Sequence, residues 1–289
     1  MQDNTPGAGR YQSVFRPKLF VGHVHWVTGA GSGIGRCVAH ELASLGATVI
    51  LSGRTQDKLD SVAAEIIQDG GRCDTAAFDI RDEDAVKAEV TKVVAKHGAV
   101  HGLVNNAGGQ FPSPLAMIGK RGFDAVVANN LTGGFLMMRE LFKQSMQEHG
   151  GAIVNMTADF RNGMPGMGHS GAARAGMANL TQTAAFEWAH AGVRVNAVAP
   201  GWVASSGMDS YPEMMRPMIR NLKNFVPLRR LTGGVLVMCA SLQHFGRHRA
   251  MEAVEGHRAL MVHRREGAVA QRRTAVDRHG DAGDESRAG

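Results

Sequence analysis

From about Leu19 onward the chain alternates short apolar runs with longer stretches whose apolar residues recur every three or four positions. The short runs are Gly22 to Val27, Thr48 to Ser52, Asp74 to Phe78, Gly102 to Val104, Ile153 to Met156 and Val193 to Val198, and they read as strands. The amphipathic stretches between them, such as Arg36 to Leu45, Lys58 to Gln68 and Asp82 to His97, read as helices. This alternation implies right-handed parallel crossovers, and so an α/β fold with a doubly wound parallel sheet covered by helices on both faces. No low-complexity linker interrupts the pattern before about residue 231, so residues 19–231 read as one domain preceded by an extension, residues 1–18.

The pattern fades beyond Leu231. No lysine follows Lys223, while arginine, histidine, glycine and alanine crowd residues 246–289. Only Gly234 to Leu242 and Arg258 to Val262 keep an apolar character, so residues 232–289 are expected to form an atypical, poorly ordered segment.

With 44% hydrophobic and 20% charged residues the chain can bury a core and is not disordered as a whole. It has no run near the roughly 18 unbroken apolar residues of a membrane span. Residues 1–16 carry neither an apolar signal core nor an Arg-rich transit pattern. A cytoplasmic location without a membrane partner is the expectation. The formal charge of +6 is spread out: about 23 Lys+Arg stand against 19 Asp+Glu in residues 1–231, and about 9 against 7 in the remainder. That distribution lacks the basic stripe a nucleic-acid partner requires. Cys37, Cys73 and Cys239 lie far apart without ligand spacing, so no disulfide framework and no metal site are expected, and they read as buried small residues.

The junction of the first strand and first helix reads Thr28-Gly29-Ala30-Gly31-Ser32-Gly33-Ile34-Gly35. Glycines there permit a tight turn and let the backbone approach a pyrophosphate in front of the helix N-terminus. After the second strand comes Gly53-Arg54, where an acidic residue would favour the ribose diol of NAD; an arginine pairs instead with a 2′-phosphate. Asp79 follows the third strand, and Asn105-Asn106-Ala107-Gly108 follows the fourth.

Together with Asn130 and Asn196-Ala-Val-Ala-Pro200-Gly201, these motifs resemble the short-chain dehydrogenase/reductase family over about Leu19 to Arg230. The resemblance implies a single Rossmann-type domain that binds NADP, with NAD possible, and that assembles as a homo-oligomer. It also implies that Gly29, Ser32, Gly33 and Ile34 line the pyrophosphate and that Arg54 and Asp79 hold the adenosine end. Asn105 and Gly108 would back the ribose, and Pro200 and Gly201 would support the nicotinamide.

Ordinary members place a Tyr and a Lys four residues apart on one helix face, where the ammonium lowers the phenol pKa. Tyr11 and Tyr211 are the chain's tyrosines and neither begins a Tyr-x-x-x-Lys; matching the helix puts Ser170 at the Tyr position and Arg174 at the Lys position. Gly108 to Pro114 and His169 to Gly176 resemble the branch of trans-2-enoyl-CoA reductases, 2,4-dienoyl-CoA reductases and bacterial citronellol or citronellal dehydrogenases. Ketone reduction needs a poised acid at oxygen. Conjugate reduction of an enoyl thioester gathers charge on the thioester oxygen, which fixed donors such as Ser170, with Arg174 as a permanent cation, can stabilise.

The matched catalytic positions are therefore Asn130, at the family's water-chain position, Thr157 or Ala158 at its serine position, Ser170 and Arg174. Asp159 and His169 are a candidate proton relay, and Tyr211 a candidate lid residue. Met208, Met214, Met215 and Met218, with Phe111 and Met117 opposite, point to an apolar acyl or isoprenoid substrate. The expected protein is an NADP(H)-dependent oxidoreductase acting on an apolar enoyl or acyl thioester or a terpenoid alcohol or aldehyde. The alternative is a cofactor-binding pseudoenzyme or damaged copy. In the latter vein, residues 232–289 have the composition of an out-of-register reading of a GC-rich coding region, which would leave the sheet without its last strand.

Overall fold

The computed structural model describes residues 15–201 together with Val203, Glu213, Asn221 and Asn224. Six strands pair in parallel in the order β3-β2-β1-β4-β5-β6: β1 (Val24–Thr28), β2 (Thr48–Gly53), β3 (Arg72–Ala77), β4 (Gly102–Asn105), β5 (Gly151–Met156) and β6 (Val193–Val198). Helices α1 (Gly33–Ser44), α2 (Gln56–Gln68) and α3 (Glu83–His97) join the first four strands. Between β4 and β5 runs one long helical stretch: α4 (Lys120–Val127), a π turn (Ala128–Thr132), α5 (Gly133–Leu141), a second π turn (Phe142–Met146) and the short α6 (Gln147–His149). Helix α7 (Gly168–Glu187) leads into β6.

Side chains alternate across the sheet, so neighbouring strand residues enter different cores. Val27, Leu51, Val104 and Val154 join Leu42 and Leu59 on one face. Trp26, Ile50, Leu103 and Ile153 join Val90, Met137 and Met177 on the other. Burial on both faces explains why the strands read as unbroken apolar runs. The strand order reverses between β1 and β4, and that reversal opens a crevice at the carboxyl ends of the strands, the place where doubly wound sheets take ligands.

Two boundaries differ from the sequence pattern for local reasons. Gly22 has φ 84 and belongs to a turn, so β1 starts at Val24. Strand β3 begins two residues earlier than its apolar run because it is a sheet edge, where the exposed Arg72 and half-buried Cys73 and Asp74 hide the strand. Cys37 and Cys73 are half-buried, which corrects their reading as buried residues; Cys239, Tyr11, Tyr211, the methionine-rich segment and residues 232–289 lie outside the described residues. Among the described residues no helix is long and apolar enough to cross a membrane, and no group of His, Cys, Asp or Glu could hold a metal ion.

Candidate active site

After Thr28 the chain turns through Gly29 (φ 66) and Gly33 (φ 56) into α1. A Cβ on Gly29 would stand 3.0 Å from both Ala107 Cα and Asn106 Nδ2, so only glycine permits this left-handed, crowded bend. The loop after β4 staples the turn: the backbone N–H groups of Asn106 and Ala107 donate to Thr28 Oγ1 at 3.0 and 2.9 Å, and Asn106 Nδ2 donates to the Thr28 carbonyl at 2.9 Å. Ser32 is the N-cap of α1 without a side-chain capping bond, and the first turn carries no acidic residue. The positive end of α1 and its unpaired N–H groups therefore face the mouth of the turn, an arrangement suited to an anion.

A cavity in front of this turn is lined by Gly29, Gly31, Ser32, Arg54, Lys58, Phe78, Asp79 and Gly108, among others. Arg54 is exposed at the end of β2. The Asp79 carboxylate accepts from Arg81 Nε at 2.9 Å and from the Arg81 N–H at 3.0 Å; the Arg81 hydrogen bonds, with Arg54 as a further cation, hold this carboxyl below the usual carboxylate range. Glycine where a Cβ would collide and an open helix N-terminus fit a dinucleotide pyrophosphate. Gly33 and Ile34 lie in the first turn of α1, and the Ile34 side chain packs onto the core.

The other half of the crevice is built by α7, the loop after β4 and the first π turn. Ser170 and Arg174 stand one helical turn apart near the start of α7. Arg174 is half-buried: Nη1 donates to the Met156 carbonyl at 2.6 Å, Nε has no partner among the described residues, and desolvation pulls its pKa down to about 10, leaving it a cation at neutral pH. A Cβ on Gly108 would come within 2.6 Å of both Arg174 Nη2 and Asn130 Oδ1, so these three residues meet at one point. Asn130 is 2% exposed and clamps Gly109, accepting its N–H at 3.1 Å and donating to its carbonyl at 2.6 Å, with a further bond to the Val126 carbonyl at 2.9 Å. Its amide thus positions the loop that carries Gly108.

Ser170 is fully buried and donates to Gln110 Oε1 at 2.6 Å. Thr157 is turned away from this pair, its N–H and Oγ1 both donating to the Val198 carbonyl, at 2.8 and 3.1 Å. Asp159 and His169 do not form the expected relay: Asp159 is exposed, and His169 is fully buried with neither ring nitrogen partnered among the described residues. Asn105 is buried, donating to the Gly134 carbonyl and to Asn155 Oδ1, so Asn106 is the residue that grips the glycine turn. Pro200 and Gly201 follow the carboxyl end of β6, on the cavity side of the sheet's reversal. Lys58 and Gln110 were not singled out from the sequence. The position of Lys58 in the first turn of α2, four residues after Arg54, was the available signal for the first; the second rests on a contact between residues 60 apart and left none.

The model of the short chain dehydrogenase family matches residues 23–216. A peroxisomal 2,4-dienoyl-CoA reductase of Danio rerio is 32% identical over 204 residues, covering 70% of this chain and 67% of that protein. A 3-oxoacyl-[acyl-carrier-protein] reductase of Thermotoga maritima is 36% identical over 196 residues, covering 68% and 80%. The solved structure of the citronellol catabolism dehydrogenase AtuB of Pseudomonas aeruginosa PAO1 superposes with a TM-score of 0.71 at 56% identity, covering 80% of this chain and 90% of that one. The parallel sheet, the glycine turn and these matches agree: this chain is an oxidoreductase of the short-chain dehydrogenase family, whose members bind NAD(P).

Proposed function

We propose that the protein is a cytoplasmic, homo-oligomeric NADP(H)-dependent oxidoreductase that transfers a hydride to or from an apolar enoyl or acyl thioester, or a terpenoid alcohol or aldehyde. The observation that carries this reading is the convergence of Arg174, Asn130 and Gly108, with Ser170 one turn before Arg174 on α7, together with a cavity lined by Gly108, Arg54 and Lys58. When bound, the nicotinamide supplies or accepts the hydride. The open N-terminus of α1 would hold the pyrophosphate, and Arg54, assisted by Lys58, the 2′-phosphate.

At the reacting end, Ser170 offers its hydroxyl proton as a hydrogen bond to a substrate oxygen, and Arg174 supplies a fixed, half-buried positive charge. A charge acts more strongly the less solvent screens it. Asn130 keeps Gly108 and Gly109 in place beneath that oxygen. Exposed Phe111, Leu115, Met117 and Phe123 form an apolar rim suited to a hydrocarbon chain. The missing Tyr-x-x-x-Lys favours a second reading, cofactor binding without turnover. Both are tested by NADPH oxidation with a dienoyl-CoA, crotonyl-CoA and citronellal: turnover of any of these supports the first reading, and tight NADPH binding without turnover supports the second.

A further inference from the structure

The loop after β4 lays two consecutive residues over two consecutive residues of α7. Gln110 covers Ser170: the serine has no exposed surface, its Oγ donates to Gln110 Oε1 at 2.6 Å, and Gln110 itself is exposed. Phe111 covers His169: the two rings meet edge to face with centroids 4.5 Å apart, Phe111 is 40% exposed, and neither nitrogen of the buried imidazole has a hydrogen-bond partner among the described residues. On either side the loop is fixed. Asn130 grips Gly109 by its N–H and carbonyl, and the Ser113 N–H donates to the Gly166 carbonyl at 2.8 Å. Any opening is thereby confined to residues 110–112.

A serine hydroxyl has one proton to give, and here it is given to an amide oxygen, a chemical stand-in for the carbonyl oxygen of a substrate. No substrate oxygen can take that bond while Gln110 holds it. We propose that Gln110 and Phe111 form a cap that occupies the substrate's place in the empty enzyme, and that a substrate is selected by its ability to replace both parts of the cap. Replacement requires a carbonyl oxygen to take over the bond from Ser170, and an apolar arm beside that oxygen to take over the ring face against His169. Aldehydes and acyl thioesters on hydrocarbon chains meet both requirements; polyols meet neither. A substrate carbonyl that takes over the bond now made to Gln110 leaves the Ser170 hydroxyl paired, so opening the cap for such a substrate sacrifices no buried hydrogen bond. The cap rests on the reading of Ser170 as the donor to substrate.

Thiol labelling reads the cap without any substrate. In Ser170→Cys the new thiol lies beneath Gln110, and its alkylation is followed by mass spectrometry of the peptide that contains residue 170, apart from the native cysteines. Adding Gln110→Ala is expected to speed that alkylation at least about tenfold with little change in melting temperature; an unchanged rate in a folded protein overturns the proposal. Gln110→Met keeps the bulk and removes the acceptor, and serves also if the alanine variant fails to fold. With a substrate that turns over, it should lower KM roughly two- to tenfold, the worth of one hydrogen bond, and the effect should vanish in a Ser170→Ala background. A raised KM, a parallel loss of kcat, or the same gain without Ser170 refutes the cap. Full turnover in Ser170→Ala alone refutes the donor reading instead, while the labelling still reports on the cap.

Discussion

His25 is a titratable residue inside the first strand, fully buried against Phe20, and its burial makes acid sensitivity a quantitative expectation. Desolvation first, and then the neighbouring His23 and His101, pull its pKa from 6.5 down to about 3. Between those values the unfolded chain binds a proton that the folded chain refuses, so stability is complete above pH 6.5 and is lost as the pH falls toward 3. The slope is about 1.4 kcal/mol per pH unit, and from pH 7 to pH 5 the loss from this residue is about 2 kcal/mol. His23 and His101, whose rings stack at 4.6 Å, are also held low by burial and act in the same direction, though they are more exposed. The perturbation is His25→Leu, which removes the titration and keeps an apolar volume. Urea unfolding at pH 7, 6 and 5 should show the variant gaining about 2 kcal/mol on the parent across that range. Parallel pH profiles for the two proteins would show that the imidazole is not kept neutral by the fold.

Arg54→Ala should weaken NADPH binding roughly ten- to a hundredfold and leave NADH nearly unchanged, as isothermal titration would show; equal losses for both nucleotides contradict the 2′-phosphate assignment. Lys58→Ala should reproduce a smaller part of the same selective loss, since a flexible ammonium makes a single contact where arginine makes two. Gly108→Ala places a methyl group where Arg174 and Asn130 already stand, so it should cut turnover at least tenfold while the melting temperature, set by the core of the sheet, moves little. An alanine variant with wild-type kcat would show that the three residues need not meet.

The sheet was legible because burial on both faces makes each strand a short apolar run, and β6 lies where that run predicts it, at Val193–Val198. Helix α1 starts three residues earlier than its periodicity because its first turn holds two glycines and Ile34 as its one apolar side chain, too few to show a helical repeat. The long helix between β4 and β5 is broken by two π turns, and the first, at Ala128–Thr132, holds Asn130; a one-residue bulge shifts the helical phase and blurs the pattern that would reveal it. The ordered motifs include Gly29, Ser32, Arg54, Asp79 and Gly108, which line the cavity in front of the glycine turn. They assigned Asn105 to the cavity, although Asn106 makes the stapling bonds, because adjacent identical residues differ only in which way each points. Gln110 enters the site through tertiary placement, which no local pattern encodes.

The account's central claim is that Arg174 supplies the charge at a working redox centre. Steady-state NADPH oxidation by the parent protein and by Arg174→Met, measured with the same panel of apolar enoyl thioesters and aldehydes and alongside thermal melting, tests it most directly. Turnover is expected in the parent, with a fall of at least about a hundredfold in kcat in the variant and a smaller loss in Ser170→Ala, both variants still folded and still binding NADPH. Equal kcat in the parent and in Arg174→Met would contradict it.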